Sequence, residues 1–521
     1  MMLVMASCKM KPHPPEAMKL PGNENSAMDY SKAENEYARK WLDRFSSLRN
    51  TIQTELISRE YTLPPEQTGS NDSVLTAGKP WNIVVRNGKE VHAHSGGNEK
   101  AEDRIIYTEN DPEFKVSLRI SSSKDFIFIK STSDQSSEVR ILPFSCKSLK
   151  PVLIQERKPG IFYKADHFGG NNLWILSNDN APMCCLLIAP VQAPGSAHWK
   201  AAVRENDSVF IDNFTLIDLQ YLILIQRKHL NTSIELTSIS PDKGKEASIE
   251  NVINFPEPEG LISDLSYNRA DDKLVFRYSS IITPPTCYTY GIHSMHLGIR
   301  WKKQIKNYVP DDYKAELIWA VGKNNSRIPV SLIRKRALDL QDGTNPLVLF
   351  IESGKFNEQK NDFNPELLSL TDRGFYIARV HVSTAAFTEP ACRDMIAEVV
   401  SALIEKKYTS PGLITIAGKE SGALIAFNTA IEHPAWARVL VLEAPVFSCS
   451  SGSSEVPYIY LDACTHNPDN GFKGLSLAAA LRKITKPGNT LLVNTRMEQS
   501  PDRGIKAGLI TFILSSYGIN K

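Results

Sequence analysis

The sequence predicts an all-β unit followed by an α/β unit, with one amphipathic helix ahead of both. Three observations lead there. Over residues 104–292 short apolar strands separated by turn residues recur in a pattern of roughly 45 to 50 residues. From residue 328 to the C-terminus apolar runs of strand length alternate with helical segments, the pattern of a mostly parallel sheet covered on both faces. The segment Gly418-Lys419-Glu420-Ser421-Gly422 stands between an apolar strand and a helix, with glycines two before and two after its centre. A chain of 521 residues is also too long for one hydrophobic core.

Residues 1–30, rich in Met, Pro, Lys and Asn without periodicity, are expected to be a disordered tail. Over 31–60, Tyr37, Trp41, Phe45, Leu48, Ile52 and Leu56 recur at steps of three and four and line one face of a helix, with Trp41 as a packing anchor. Residues 62–103 are dominated by Pro, Gly, Ser, Asn and Asp and read as a long loop, strand-like only at 81–85. Repeats at 104–145, 146–190, 198–240 and 247–292 have the length of four-stranded propeller blades. The expectation is a β-propeller-like domain of about four blades over 104–296, with a generic antiparallel sandwich as the alternative. A turn-rich crossing at 297–313 leads into an α/β domain spanning 300–521. Its strands are expected at 328–333, 346–351, 375–380, 413–416, 439–442, 458–461 and 490–493.

Composition excludes several function classes. Sixty basic residues against fifty-eight acidic ones leave almost no net field, which disfavours nucleic acid and anionic membranes as partners. No apolar run approaches the roughly 20 residues needed to cross a bilayer, and Met1 to Ala6 is too short for a secretory segment. Eight scattered cysteines fit reduced thiols in a cytoplasmic protein. Adjacent Cys184 and Cys185 read as core or edge thiols. The pairs His92/His94 and His293/His296 lack acidic or cysteine partners at ligand spacing, so no metal is expected, and no cofactor fingerprint occurs.

Strand, sharp turn and helix with flanking glycines is the nucleophile-elbow layout of α/β-hydrolases, but its centre is Glu420. The chain as a whole resembles the prolyl oligopeptidase family of serine peptidases, closest to its oligopeptidase B and prolyl-endopeptidase-like branches. The resemblance runs from Ser31 onward and is carried by Tyr107-Thr108-Glu109-Asn110-Asp111-Pro112, Ser136-Ser137-Glu138-Val139, Val152-Leu153-Ile154-Gln155, Asp372-Arg373-Gly374-Phe375 and Val441-Leu442-Glu443-Ala444-Pro445. It implies an N-terminal helical segment packed on an α/β-hydrolase domain. It also implies a seven-bladed propeller over the active site, of which this chain shows a reduced, incomplete version.

The resemblance also implies where the chemistry would stand. The nucleophile position falls on Glu420, between Gly418 and Gly422. The acid position falls on Asn467, and the base position on Pro501 in the loop Glu498-Gln499-Ser500-Pro501; no histidine follows His466. The tyrosine that assists the oxyanion in the family falls near Glu352. Serine supplies the attacking oxygen, histidine takes its proton and the carboxylate holds the imidazolium, so each replacement removes a separate contribution. A carboxylate near the oxyanion would oppose the developing charge. Ser421 as a displaced nucleophile would follow Lys419 where the elbow needs glycine, and Glu420 as an ester-forming nucleophile would lack a base. The expectation is a catalytically inactive binding or regulatory protein, with a peptide or protein partner in the interdomain cleft. The alternative is a serine oligopeptidase cleaving short peptides after proline or basic residues; a third reading is a truncated or drifting gene product. If Glu352 and Glu420 face one cleft, one carboxyl pKa should rise unless Lys419 or Arg496 neutralises the pair.

Overall fold

The structure, a computed structural model, describes residues 13–15, 24–61, 74–76, 81–95, 102–133, 136–145, 148–239, 248–322, 327–353, 363–382, 388–447, 457–464, 468–485, 490–496 and 503–520. The apolar stripe expected at the N-terminus folds as two helices, α1 (Glu24–Leu42) and α2 (Ser46–Arg59), joined by a single 3₁₀ turn at Asp43–Phe45. Residues 24–30, expected in a disordered tail, belong to the first of them. Tyr37, Trp41, Leu48, Ile52 and Leu56 are buried, as their spacing requires.

Period-2 alternation between turns then builds five antiparallel four-stranded sheets. The first holds β1 (Val74–Thr76), β2 (Trp81–Arg86), β3 (Glu90–Ser95) and β4 (Asp103–Thr108). The second holds β5 (Lys115–Ile120), β6 (Phe126–Thr132), β7 (Ser137–Pro143) and β8 (Val152–Gln155). In the third are β9 (Tyr163–Asp166), β10 (Asn172–Ser177), β11 (Cys185–Pro190) and β12 (Lys200–Val203). The fourth comprises β13 (Phe210–Ile217), β14 (Tyr221–Lys228), β15 (Asn231–Ser238) and β16 (Ser248–Pro258). The fifth comprises β17 (Leu261–Asn268), β18 (Lys273–Ser279), β19 (Thr286–Gly291) and β20 (Leu297–Lys302).

Among the described residues there are thus five blades where about four were expected. The blade domain starts at Val74 rather than 104 and ends at Lys302, inside the supposed crossing. The first blade was hidden by its polar strands, although Asn87-Gly88, with φ of 53° and 64°, carries the usual hairpin-turn chemistry between β2 and β3. Because β4 closes that blade instead of opening the next, every later boundary moves with it. Apolar clusters fill the four seams between successive blades, for example Ile83 and Val91 against Ile127 and Leu142 at the first. None joins the fifth blade to the first among the described residues. Among the described residues the two ends of the propeller share no apolar cluster.

The C-terminal domain is one eight-stranded sheet. Its strands are β21 (Tyr313–Val321), β22 (Arg327–Lys335), β23 (Leu347–Ser353), β24 (Tyr376–Val382), β25 (Ile414–Lys419), β26 (Ala437–Glu443), β27 (Tyr458–Cys464) and β28 (Leu491–Arg496), in the order β21-β22-β24-β23-β25-β26-β27-β28. The pairings of β22 with β21 and with β24 are antiparallel and the rest are parallel. On one face pack α4 (Glu389–Glu405), α5 (Ser421–Glu432) and α6 (Pro468–Ile484). On the other pack α2, the short α3 (Leu368–Thr371) and α7 (Arg503–Ser516). Burial on both faces explains why these strands read as continuous apolar runs. Among the described residues no helix is long and apolar enough to cross a membrane.

Ion pairs tie the N-terminal helices to this domain. Glu34, with no exposed side-chain surface, accepts Arg482 at 3.0 and 2.5 Å. Arg59 donates to Asp372 at 2.6 Å, and Arg373 to Glu55 at 2.8 and 3.1 Å. Trp41 packs on Phe512 with ring centroids 5.4 Å apart.

The propeller meets the sheet through Glu259, in the turn between β16 and β17, whose φ of +58° aims it across the interface. Its carboxylate has no exposed surface; it lies 2.8 Å from His381 Nε2 and accepts Arg379 Nη1 at 3.2 Å, both on β24. Burial alone would raise its pKa, but the His381 hydrogen bond and the charges of His381 and Arg379 outweigh burial and hold it at about 2.

Removing one member of a buried pair strands the others, so Glu259→Ala is expected to destabilise the protein by about 3–5 kcal/mol in denaturant unfolding. The depressed pKa fixes the sign with pH. The stabilisation is complete above the ordinary value of 4.5 and is lost as pH falls from there towards about 2. Acid titration followed by small-angle scattering should show the domains loosening in that window. Glu259→Gln should remove that portion of the pH dependence; an unchanged titration would refute the assignment.

Candidate functional site

The apex of the site is built by β25 and α5. Ile414 to Gly418 are buried and Lys419 emerges. Glu420 then turns the chain with φ of 53° and ψ of −118°, and α5 starts at Ser421. A non-glycine residue there holds a sparsely populated conformation, of a kind that costs about 1–3 kcal/mol and persists only where the surroundings enforce it. Two backbone bonds do so: Glu420 N–H donates to the Glu443 carbonyl at 2.9 Å, and the Glu420 carbonyl accepts Ala423 N–H at 3.1 Å. Gly418 is required by packing, since a Cβ there would lie 2.2 Å from the Gly422 carbonyl oxygen. Strand, positive-φ turn and helix follow one another at the expected residues.

What the apex presents is a carboxylate. The Glu420 side chain is 63% exposed, with Lys419 Nζ at 3.8 Å. Ser421 is the first residue of α5 and sits beside the apex, not on it. Glu352, near the end of β23, pairs with Arg379 Nε at 3.3 Å. Burial pulls the Arg379 pKa down, but Glu259 and Glu352 outweigh it and the net shift is upward. Each carboxylate expected in the shared cleft therefore has its own cation: Lys419 for Glu420, and Arg379 for Glu352. Arg496, the other candidate neutraliser, is held by Asp462.

Asn467 and Pro501, the acid and base positions, lie outside the described residues, as does the loop 498–500. The strands leading to them are described. Parallel register aligns Lys419 with Glu443, Glu443 with Asp462 and Asp462 with Asn494, so the loops after β27 and β28 leave from the same edge as the elbow.

That register also assembles a group the sequence reading missed. Glu443 ends β26, Asp462 stands opposite it on β27, and both line a cavity of about 260 Å³ under the elbow, walled by α7. Asp462 is buried and accepts Arg496 Nε at 2.8 and 3.0 Å. Burial raises its pKa, with Arg496 and Lys419 acting against the rise. Burial also raises that of Glu443, and the neighbouring charge of Asp462 adds to it. A signal existed: each apolar run, Val439-Leu440-Val441-Leu442 and Tyr458-Ile459-Tyr460-Leu461, ends on an acid.

The histidine pairs behave differently from expectation in one respect. His92 is buried and held by Asp103 at 2.9 Å, brought by the pairing of β3 with β4, and by Glu90 two residues earlier on its own strand at 3.1 Å. His293 is exposed, 2.6 Å from Asp272. Among the described residues no group of three or more metal-ligating side chains is placed to hold an ion. Cys184 is buried, Cys185 is partly so, and both are free thiols.

Three comparisons bear on this geometry. The family model for the prolyl oligopeptidase N-terminal beta-propeller domain matches residues 83–300. Dipeptidyl aminopeptidase BI of Pseudoxanthomonas mexicana is 27% identical over 299 residues, 56% of this chain and 40% of that protein. Prolyl endopeptidase-like of Xenopus laevis is 23% identical over 398 residues, 72% of this chain and 53% of that one. The chain spans about half the length of the curated relatives it matches. Oligopeptidase B from Leishmania major has the same fold, with a TM-score of 0.77 at 15% identity, covering 96% of this chain and 94% of that chain.

The close approach at the elbow makes one expectation concrete. Gly418→Ala should cost at least the roughly 1–3 kcal/mol typical of overpacking, because the neighbour is helix backbone that cannot rotate away. Ser421→Ala should stay near wild type in the same thermal unfolding assay. A tolerated Gly418→Ala would mean that the elbow relaxes.

Proposed function

We propose that this chain, which belongs to the prolyl oligopeptidase family, is a binding or regulatory member without peptidase activity. The observation carrying that reading is Glu420. The elbow keeps the strained backbone that presents a nucleophile, yet the atom presented is an exposed carboxylate oxygen beside Lys419. The residues at the acid and base positions, Asn467 and Pro501, supply neither a carboxylate nor an imidazole. Loss of triad members that act as a unit typically costs on the order of 10⁴ to 10⁶ in rate, which binding alone does not restore. A peptide or protein partner would dock between propeller and sheet, which the Glu259 cluster joins. Four described cysteines are free, in keeping with a cytoplasmic setting.

The purified protein is expected to show no labelling by a fluorophosphonate probe and no hydrolysis of proline- or arginine-containing peptides above background. Turnover that survives Ser421→Ala but vanishes with Glu420→Ala would replace this reading with an acidic nucleophile. Glu420→Ser alone is expected to stay silent, since an unassisted hydroxyl does not attack at neutral pH. Rapid acylation of that variant by an activated ester would reveal a base elsewhere in the cleft.

A further inference from the structure

We propose that the cavity beneath the elbow is a binding site for a small organic monocation, of the primary alkylammonium class. It lies between the helix α7 and the face of the sheet formed by β23, β25, β26 and β27, which line it with Val348, Ala417, Glu443 and Asp462, apart from the exposed Glu420 side chain. Val348, Ala417, Val441, Ile510 and Ile513 give it apolar walls. At about 260 Å³ it exceeds the cavity of roughly 150 Å³ that holds a benzene molecule, so an aliphatic body of four to six carbons fits.

Charge decides what kind of head group belongs there. Three carboxylates line the cavity: Glu366, Glu443 and Asp462. Two have cations of their own, Lys506 on Glu366 and Arg496 on Asp462. Among the described residues no side chain donates to the Glu443 carboxylate or forms an ion pair with it, while its backbone is pinned by the bond from Glu420 N–H. One negative charge is left over against apolar walls, an arrangement that is costly unless a proton or a cation compensates it. The upward displacement of the Glu443 pKa, caused by burial, then Asp462 and finally Glu366, with Lys419 and Arg496 opposing, reports the same imbalance. An ammonium head on Glu443 with its alkyl chain towards α7 answers both the charge and the walls. The site does not depend on whether the elbow hydrolyses anything, so its failure would leave the proposed loss of activity standing.

The test compares n-pentylammonium with 1-pentanol, nearly the same shape without the charge, by saturation-transfer NMR and calorimetry on the full chain. A charge-assisted hydrogen bond at the partly buried Glu443 predicts that the amine binds about tenfold or more tightly than the alcohol. Glu443→Gln should abolish that preference while changing alcohol affinity less than about threefold. Equal affinity for the two probes, binding of the alcohol alone, no binding of either, or a preference that survives Glu443→Gln would each overturn the proposal. Should Glu443→Gln fail to fold, wild-type titration decides: amine affinity should fall with pH below the raised Glu443 pKa while alcohol affinity stays flat. An amine affinity independent of pH would overturn the site as well.

Discussion

A single carboxylate without exposed surface, Glu259, holds the two domains in register. Burying it is unfavourable unless donors meet it, and both donors come from one strand of the other domain, Arg379 and His381 on β24. The consequences spread from there. Arg379, oriented by Glu259, is also the cation that engages Glu352 at the end of the neighbouring strand β23. Apolar residues of the fifth blade, Ile281 and Ile282, join the same core as Tyr308 and Phe375 of the C-terminal half, so the interface is part ionic and part hydrophobic. The propeller, whose two ends share no described core, is anchored at its fifth blade instead of by ring closure.

The backbone of the elbow is held by packing and main-chain bonds rather than by the identity of the residue at its apex. Gly418 is demanded by the passage of α5 over the end of β25, whatever side chain follows. The positive φ of Glu420 is held by bonds to Glu443 and Ala423 that involve only main chain. Nothing in this arrangement requires a serine. The structure can therefore keep the turn at a modest cost in strain while the residue at its apex changes.

Three of the motifs that carried the family resemblance hold ionic joints. Asp372 accepts Arg59, Tyr313 and Lys335 at 2.6 to 2.7 Å, binding the N-terminal helices to the sheet. In the propeller, Glu109 and Glu138 share Arg157, at 2.7 and 3.4 Å. Burial would raise the pKa of Glu109, but Arg157, Ser131 and the Asp111 amide hold it at about 2. Each of these joints is held because an unpaired buried charge is expensive, so they serve the fold.

By itself the sequence determined what periodicity and local chemistry encode. The helical stripe from Tyr37 to Leu56, the alternating strands and helices of the sheet, and the turn centred on Glu420 were all legible, each depending on residues close in the chain. It left the blade count and phase open, because period-2 alternation says which face a strand buries but not which sheet it joins. Asp103–Thr108 reads equally well as the last strand of one blade or the first of the next. Partners distant in sequence were decided only by tertiary structure. Glu259 meets β24 through a turn, and Glu443 meets Asp462 through parallel register, neither of which leaves a spacing in the chain. The cavity is lined by α7 and by four neighbouring strands whose order, β23-β25-β26-β27, is a property of the sheet rather than of any one strand.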